Sequence, residues 1–206
     1  MARAFTEIAF TPEVRAVQAR QGVADAYARF MTPEAERADT LGPDERAFIE
    51  ARDGFYLATV SSAGWPYVQF RGGPAGFAKA LDGKTIAYAD VRGNRQYLSV
   101  GNLSGDDRVS LFFMDYANQR RLKVWGRAKT VDADADPALL EALFPKGYRA
   151  RPERSVLIAV EALDWNCPQH IPQRLNAEEL KPRLARLMTE VERLRAENAR
   201  LRAAGG

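Results

Sequence analysis

The sequence predicts a mainly β protein with additional helices, built around a six-stranded antiparallel barrel. Runs of β-branched and aromatic residues recur at short intervals between residues 53 and 166, and turn-forming residues separate most of them. Helical periodicity replaces this pattern on both sides. We therefore expect an N-terminal helical arm over residues 1–52, a barrel domain over 53–175 and a C-terminal coiled-coil helix over 176–206.

The N-terminal arm has the features of two helices joined by a linker. Residues 12–30 carry small and apolar side chains at roughly helical spacing, and Pro12 suits a first helical turn. A second proline, Pro43, stands where a further helix would begin, and that helix is expected to end near Arg52. These helices precede the barrel in the chain.

The barrel strands are expected to form mainly as hairpins. The runs "FYLATV" and "YVQF" flank the turn "SSAG", and "GFAKA" and "KTIAYAD" flank an Asp-Gly turn. Two longer runs, "RVSLFFMDY" and "RRLKVWGRAKTV", are separated by "ANQR". A short helix in "ADPALLEALFP" then precedes the last strand, "SVLIAVEALDW".

The C-terminal segment carries a heptad pattern. Leucine recurs every seven residues at the d positions, and the a positions between them are Leu184, Val191 and Asn198. The d residues are Leu180, Leu187, Leu194 and Leu201. Pro182 is expected to delay the regular helix, although Asn176 and Glu179 resemble a capping box. The pattern favours a parallel coiled coil, and an amphipathic helix packed on its own barrel is the alternative.

Composition excludes several classes of function. The chain has 30 basic and 27 acidic residues, so its net charge of +3 does not indicate a nucleic-acid partner. No run approaches the length needed to span a bilayer, and the N-terminus lacks the apolar core of a signal peptide. A single cysteine, Cys167, permits no intramolecular disulfide, and with one histidine it offers too few ligands for structural zinc. A cytoplasmic location is expected.

Polar donors follow the strand "AYAD" at the segment "VRGNRQ". Gly93 permits a tight turn or a close approach to a ligand, and Asn94 and Arg95 provide N–H donors. A second basic segment, around Arg71, ends the preceding hairpin. Pairing of residues 67–71 with 84–90 would bring the two segments together around an anion such as a phosphate. The alternative is that both segments are ordinary exposed turns.

The run from "GWPYVQFRGGPAGF" through "ADVRGNRQYL" to "LKVWGRAK" resembles the FMN-binding split barrel of proteins related to pyridoxamine 5'-phosphate oxidase. The motifs "RGGPxGF", "GNRQY" and "DWNCPQHI" place the resemblance in one subgroup and cover about residues 53–175. It implies a homodimer with FMN bound between the subunits. It also implies a set of flavin contacts, namely Gln69, Phe70, Arg71, Ala89 and Asp90 along the strands, Asn94, Arg95 and Gln96 at the phosphate, and Trp165.

The sequence departs from the oxidase itself at the substrate side. The segment "ALFPKGYRARPERSVL" does not reproduce the basic stretch that holds the substrate phosphate in the oxidase. Oxidation of pyridoxamine phosphate is therefore not expected. His170 is the candidate catalytic residue, although a lone histidine is also typical of an ordinary surface group. Cys167 could be a redox-active thiol, but nothing nearby in the sequence guarantees the cationic setting that such a thiol needs.

Three functions remain open at this point. The first is an FMN-dependent oxidoreductase acting on a nicotinamide or a small organic substrate. The second is a non-catalytic FMN carrier or sensor whose coiled coil engages a partner. The third is a split barrel that binds heme or another cofactor.

Overall fold

The computed structural model describes residues 3–165 and 168–204. Its helices and strands follow the chain in the order α1 Arg3–Ala9, α2 Pro12–Arg20, α3 Ala24–Ala28, α4 Pro43–Glu50, β1 Gly54–Val60, β2 Pro66–Gly72, β3 Ala78–Ala80, β4 Thr85–Val91, α5 Leu98–Gly105, β5 Arg108–Asp115, β6 Arg120–Asp132, α6 Pro137–Leu143, β7 Pro152–Trp165 and α7 Ala177–Ala204. The predicted class, mainly antiparallel β with helices at both ends, is confirmed.

The strands form one sheet in the order β2-β1-β5-β6-β7-β4-β3, and every neighbouring pair is antiparallel. There are seven strands in the described part of the chain rather than the predicted six. The count of six was one short of the strand-like runs identified in the sequence, because the run "GFAKA" contains β3, which has only three residues and pairs with β4.

Alternating apolar residues place the core on one face of the sheet. In β5, for example, Val109, Leu111 and Phe113 are buried while the residues between them are half-buried. Phe113 lies 4.8 Å from Phe55 of β1, measured between ring centroids. Phe55 in turn meets Tyr88 of β4 edge-on at 5.4 Å, although β1 and β4 are not neighbours in the sheet. The sheet therefore curls around a shared interior.

The predicted pairing of residues 67–71 with 84–90 is wrong. β2 pairs only with β1, whereas β4 pairs with β3 and β7. Curling of the sheet, rather than a ladder of hydrogen bonds, brings the end of β2 to the end of β4. The two segments still meet, because Arg71 forms an ion pair with Asp90.

The N-terminal segment contains more helices than the sequence indicated. The predicted helix over residues 12–30 is interrupted after α2, where Gly22 has a φ of +69° and ends the helical geometry. α1 was not predicted. Its Phe5 is buried and stacks on Trp125 at 4.8 Å, so this short helix contributes to the packing of the barrel.

The chain divides into two compact units. The first contains residues up to 115 and 120–168, and the second contains 116–119 and the chain from 169 onward. In the second unit α7 begins at Ala177, with Asn176 and Glu179 exchanging capping-box hydrogen bonds of 2.7 and 2.9 Å. The expected start near Pro182 is wrong, because the cap stabilises the first turn and the helix continues through the proline. No helix within residues 3–165 and 168–204 is long and apolar enough to cross a bilayer.

Candidate functional site

A cavity lies where β2, the end of β4 and the start of α5 meet. Its lining residues come from three segments and from β7, namely Tyr67, Gln69, Arg71, Asp90, Val91, Gly93–Val100 and Glu153. The β2 residues alternate along their strand, so Tyr67, Gln69 and Arg71 share the face that points to the cavity. The cavity measures only about 50 Å³, which is much smaller than the roughly 300 Å³ or more of a typical ligand pocket. One chain alone therefore forms a wall rather than an enclosed site.

Asp90 is the centre of an ionic bridge at the base of the cavity. One carboxylate oxygen forms an ion pair with Arg71 at 3.1 Å, and the other accepts a hydrogen bond from Arg154 of β7 at 3.1 Å. All three side chains are largely buried. Burial raises the pKa of the neighbouring Tyr88 hydroxyl, so this phenol stays neutral. The bridge fixes Arg71 in place across the two strand ends.

The loop between β4 and α5 has a strained and ordered backbone. Asn94 accepts from the backbone N–H of Gln96 at 3.2 Å, and the two side-chain amides also bond to one another at 3.3 Å. Arg95 and Tyr97 both have positive φ angles, +62° and +53°. Such angles are uncommon for residues with a Cβ and cluster at ligand-binding loops.

Arg95 differs from the other arginines of the cavity. In the described residues its guanidinium forms no ion pair or hydrogen bond, whereas Arg92 donates to Glu153 at 2.7 Å. Tyr97 also donates to Glu153, at 3.3 Å. The bond from Arg92 holds the pKa of Glu153 below its usual value, so the carboxylate stays ionised. Arg95 is therefore an exposed cation of the cavity that forms no ion pair with a carboxylate of the described residues.

The first turn of α5 forms the adjacent wall. Leu98, Ser99 and Val100 line the cavity, and the N–H groups of a first helical turn have no partners within their own helix. The hydroxyl of Ser99 donates to the side-chain oxygen of Gln69 at 3.1 Å. That bond links α5 to β2 and leaves the amide N–H groups of Gln69 available as donors.

The arrangement favours an anion. Three carboxylates, those of Asp90, Asp132 and Glu153, form ion pairs with the guanidinium groups of Arg71, Arg92 and Arg154 at and behind the cavity. Arg95 adds a fourth guanidinium, which forms no ion pair within the described residues. The Nε atoms of Arg71 and Arg154 are buried without a hydrogen-bond partner. In the same residues, 3–165 and 168–204, no group of three or more His, Cys, Asp or Glu side chains is placed to hold a metal ion.

Six of the predicted site residues come together here, namely Gln69, Arg71, Asp90, Asn94, Arg95 and Gln96. Two others lie on the opposite faces of the same strands. Phe70 is 57% exposed and packs edge-on against Tyr56 at 5.4 Å. Ala89 is buried in a separate small cluster with Leu140 and Leu143 of α6. The two-residue repeat of a strand explains both placements, because neighbours point to opposite sides.

The C-terminal candidates lie elsewhere in the described chain. Trp165 ends β7, whereas the cavity residue Glu153 is near its start, so the two are roughly 40 Å apart along the strand. The indole of Trp165 donates to Glu45 at 2.6 Å and packs against Phe48. His170 is exposed and belongs to the second compact unit, with a φ of +67°. Cys167 lies outside the described residues.

Among the residues at the site that the predicted set lacked are Tyr67, Ser99, Glu153 and, just behind the cavity, Arg154. Tyr67 and Ser99 could have been found from strand alternation and from the position of Ser99 just inside a helix. Glu153 and Arg154 had no local signal. They are about 60 residues from their partners in the chain, and only the β4–β7 register, in which Asp90 lies opposite Arg154, reveals them.

The sequence of the barrel matches a family model. The model described as pyridoxamine 5'-phosphate oxidase matches residues 41–166, more than half of the chain. The chain belongs to the pyridoxamine 5'-phosphate oxidase family. The resemblance noted in the sequence is thereby confirmed, and the matched region includes every residue of the cavity. No curated protein matches the chain in sequence.

Solved structures related to this family are similar only at a distance. A putative pyridoxamine 5'-phosphate oxidase from Lactobacillus delbrueckii is 18% identical, with a TM-score of 0.48, and the match covers 62% of this chain and 95% of that one. HupZ from Group A Streptococcus is 15% identical, with a TM-score of 0.47, and the match covers 66% of this chain and 99% of that one. An FMN-binding protein from Syntrophomonas wolfei is 12% identical, with a TM-score of 0.40, and the match covers 59% of this chain and 83% of that one. An F420 reductase and a heme storage protein from Vibrio cholerae also match, so this likeness does not select a cofactor.

Proposed function

We propose that the chain is an FMN-binding flavoprotein that acts as a flavin-dependent oxidoreductase. One observation carries the proposal: an unpaired arginine, Arg95, stands beside two side-chain amides and the first turn of α5, all on one cavity. This donor set suits a phosphate monoester. Membership of the pyridoxamine 5'-phosphate oxidase family supports FMN as its source.

The phosphate would lie at the Arg95 end of the cavity. Free backbone N–H groups at a helix N-terminus, together with the positive end of the helix dipole, stabilise a bound anion. Arg95 would add a charge-assisted hydrogen bond, and Asn94 and Gln96 would add neutral donors. The ion pairs of Arg71 and Arg154 with Asp90 leave these two arginines to support the site rather than to neutralise the phosphate fully.

The flavin ring would lie along the cavity face of β2. Gln69 is held by Ser99, which directs its remaining amide donors, and Tyr67 provides a flat neighbouring surface. FMN, when bound, supplies hydride or electron transfer. The residues of this chain position the ring, and the fixed Arg71–Asp90 pair excludes a second anion from the base of the cavity.

We further propose that the site is completed in a homodimer. A cavity of about 50 Å³ leaves most of a nucleotide exposed on one chain. Beside it, on the outer face of β1, β2 and their turn, four large apolar side chains are 40–76% exposed, namely Tyr56, Trp65, Val68 and Phe70. A second copy that covers this face and extends around the edge strand β2 to the cavity would bury these side chains and enclose the flavin on the other face, and Phe70 would then belong to the subunit interface.

The alternative is a non-catalytic FMN carrier or sensor that acts through its C-terminal coiled coil. The exposed apolar residues of α7 favour this reading, because a simple oxidoreductase does not need them. Stopped-flow mixing of the purified yellow protein with NADH and with NADPH separates the two. Rapid flavin reduction followed by many turnovers with an acceptor supports the enzyme, and bound flavin that is not reduced supports the carrier. A colourless protein that takes up no flavin contradicts both.

Oxidation of pyridoxine or pyridoxamine 5'-phosphate is not part of the proposal. The segment between α6 and β7 that would hold the substrate phosphate is a loop, and its Lys146 and Arg149 are exposed to solvent. We expect the flavin-loaded protein to form no pyridoxal 5'-phosphate from either compound. Sustained formation of that product would assign the chain to the oxidase itself.

A further inference from the structure

α7 presents a continuous apolar stripe that nothing in its own unit covers. The helix has 28 residues, which corresponds to about 42 Å. Seven large apolar side chains along it are 39–68% exposed, namely Leu180, Leu184, Leu187, Met188, Val191, Leu194 and Leu201. Six of these occupy the a and d positions of one heptad repeat, so they lie on one face of the helix.

We propose that α7 of a second copy of this chain covers the stripe, as a parallel two-stranded coiled coil in register. A seam of period 3.5 is the geometry that two helices bury against each other, and leucine at every d position suits two strands. The pattern is self-complementary, because each a and d side chain meets its own counterpart. This inference concerns α7 alone and does not depend on FMN binding.

The charges beside the seam determine the orientation. In a parallel pair, Glu190 at g faces Arg195 at e of the other helix, and Glu197 likewise faces Arg202. In an antiparallel pair, g positions face g positions and e positions face e positions. That arrangement would place glutamates near glutamates and arginines near arginines over the same two heptads, so the charges select the parallel form.

Asn198 fixes the register. It is the one polar residue at an a position in the seam, and it is exposed in the single chain. In the parallel pair its amide meets the same amide of the other helix, where both can hydrogen-bond. A shift by one heptad would bury the amide of one helix against Val191 of the other and leave the second amide beyond the end of its partner, at a cost in stability.

Salt bridges within the helix do not compete strongly with this pairing. Arg193 bonds Glu190 at 2.7 Å and Glu197 at 3.0 Å in the same helix. These are exposed pairs, which typically contribute little to stability. A carboxylate also has lone pairs left for a second donor, so both glutamates remain available to the other helix.

Engineered disulfides test the proposal in the full-length protein. In a Cys167→Ser background, Leu187→Cys and Leu201→Cys each place a thiol at a d position, 14 residues apart. Ala185→Cys, at an outward b position, is the matched control. Two thiols bond only when their Cα atoms approach within about 7 Å. We expect both d variants to form disulfide-linked dimers under mild oxidation, with the control slower by about tenfold or more.

The disulfide results distinguish parallel pairing in register from no pairing and from other registers. Neither d variant exceeding the control would contradict pairing altogether, and linkage of one d variant without the other would contradict the parallel register. Charge exchange gives a second readout. Glu190→Arg with Glu197→Arg should slow linkage at Leu201→Cys, and adding Arg195→Glu with Arg202→Glu should restore it. Failure of that restoration would show that the charges do not set the orientation.

Discussion

Replacing Arg95 by alanine tests the phosphate end of the proposed site. In the described part of the chain this side chain has no protein partner, so its removal leaves no carboxylate buried and unpaired. Both residues must adopt the same positive φ at position 95, so the backbone strain is unchanged. We therefore expect the free energy of unfolding of the flavin-free protein to stay within about 0.5 kcal/mol of the wild-type value.

The effect on FMN binding should be large by comparison. One charge-assisted hydrogen bond contributes about 1.5–3 kcal/mol, which corresponds to a rise in Kd of about 10- to 150-fold. Quenching of flavin fluorescence on titration with the flavin-free protein measures this Kd. Arg95→Lys keeps the charge but not the planar donor set, so its Kd for FMN should lie between that of the wild-type protein and that of Arg95→Ala.

Arg108→Ala is the matched control for this experiment. Arg108 is an exposed arginine that donates to Asp106 at 2.9 Å and does not line the cavity. Its loss should leave the Kd for FMN within about twofold of wild type, because an exposed pair contributes little. An Arg95→Ala protein with the same Kd as Arg108→Ala would remove Arg95 from the phosphate site.

Three further predictions concern stability. Asp90→Asn should lower the free energy of unfolding in urea by about 3 kcal/mol, because Arg71 and Arg154 lose their shared counter-ion. Asp132→Asn, at an exposed carboxylate, should have little effect, and equal free energies of unfolding for the two variants would refute the bridge. Gly126→Ala should destabilise the protein by about 2 kcal/mol or more, because the added Cβ would lie 2.3 Å from the Ala159 carbonyl oxygen. Gly101→Ala in α5 should instead stabilise the protein by about 0.5–1 kcal/mol, and thermal unfolding of the two variants compares these effects. The hydrogen bond from Lys84 lowers the pKa of Asp39 to about 2, so the contribution of ionised Asp39 to the free energy of unfolding is complete above about pH 4 and is lost towards pH 2. Asp39→Asn should therefore flatten the acid-unfolding profile between these pH values, and an unchanged profile would contradict the prediction.

The local parts of the fold could be predicted because turn formers and residue alternation determine them. The hairpins β1–β2 and β3–β4 form around Gly64 and around Asp82-Gly83, as expected from those residues. The strand count of six was one short, although the run that contains the three-residue strand β3 had been identified as one arm of a hairpin. The start of α7 was also misjudged, because the capping box at Asn176 outweighs the hydrogen bond that Pro182 removes.

The site could be predicted only where its residues are close in sequence. Asn94, Arg95 and Gln96 lie together in one loop, and all three line the cavity. The meeting of Arg71 with Asp90 was expected for the wrong reason, since curling of the sheet and not strand pairing brings them together. Arg154 was missed because its contact depends on the pairing of β4 with β7, across 64 residues of chain.

Calorimetric titration of the flavin-free protein with FMN and with riboflavin tests whether this cavity binds FMN by its phosphate. The two ligands share the isoalloxazine ring and differ by the phosphate. We predict one FMN per chain, and riboflavin weaker by about 100-fold or more, because it makes no bonds to Arg95 or to the first turn of α5. Equal affinity for FMN and riboflavin, or binding of neither, would show that the cavity does not bind FMN by its phosphate.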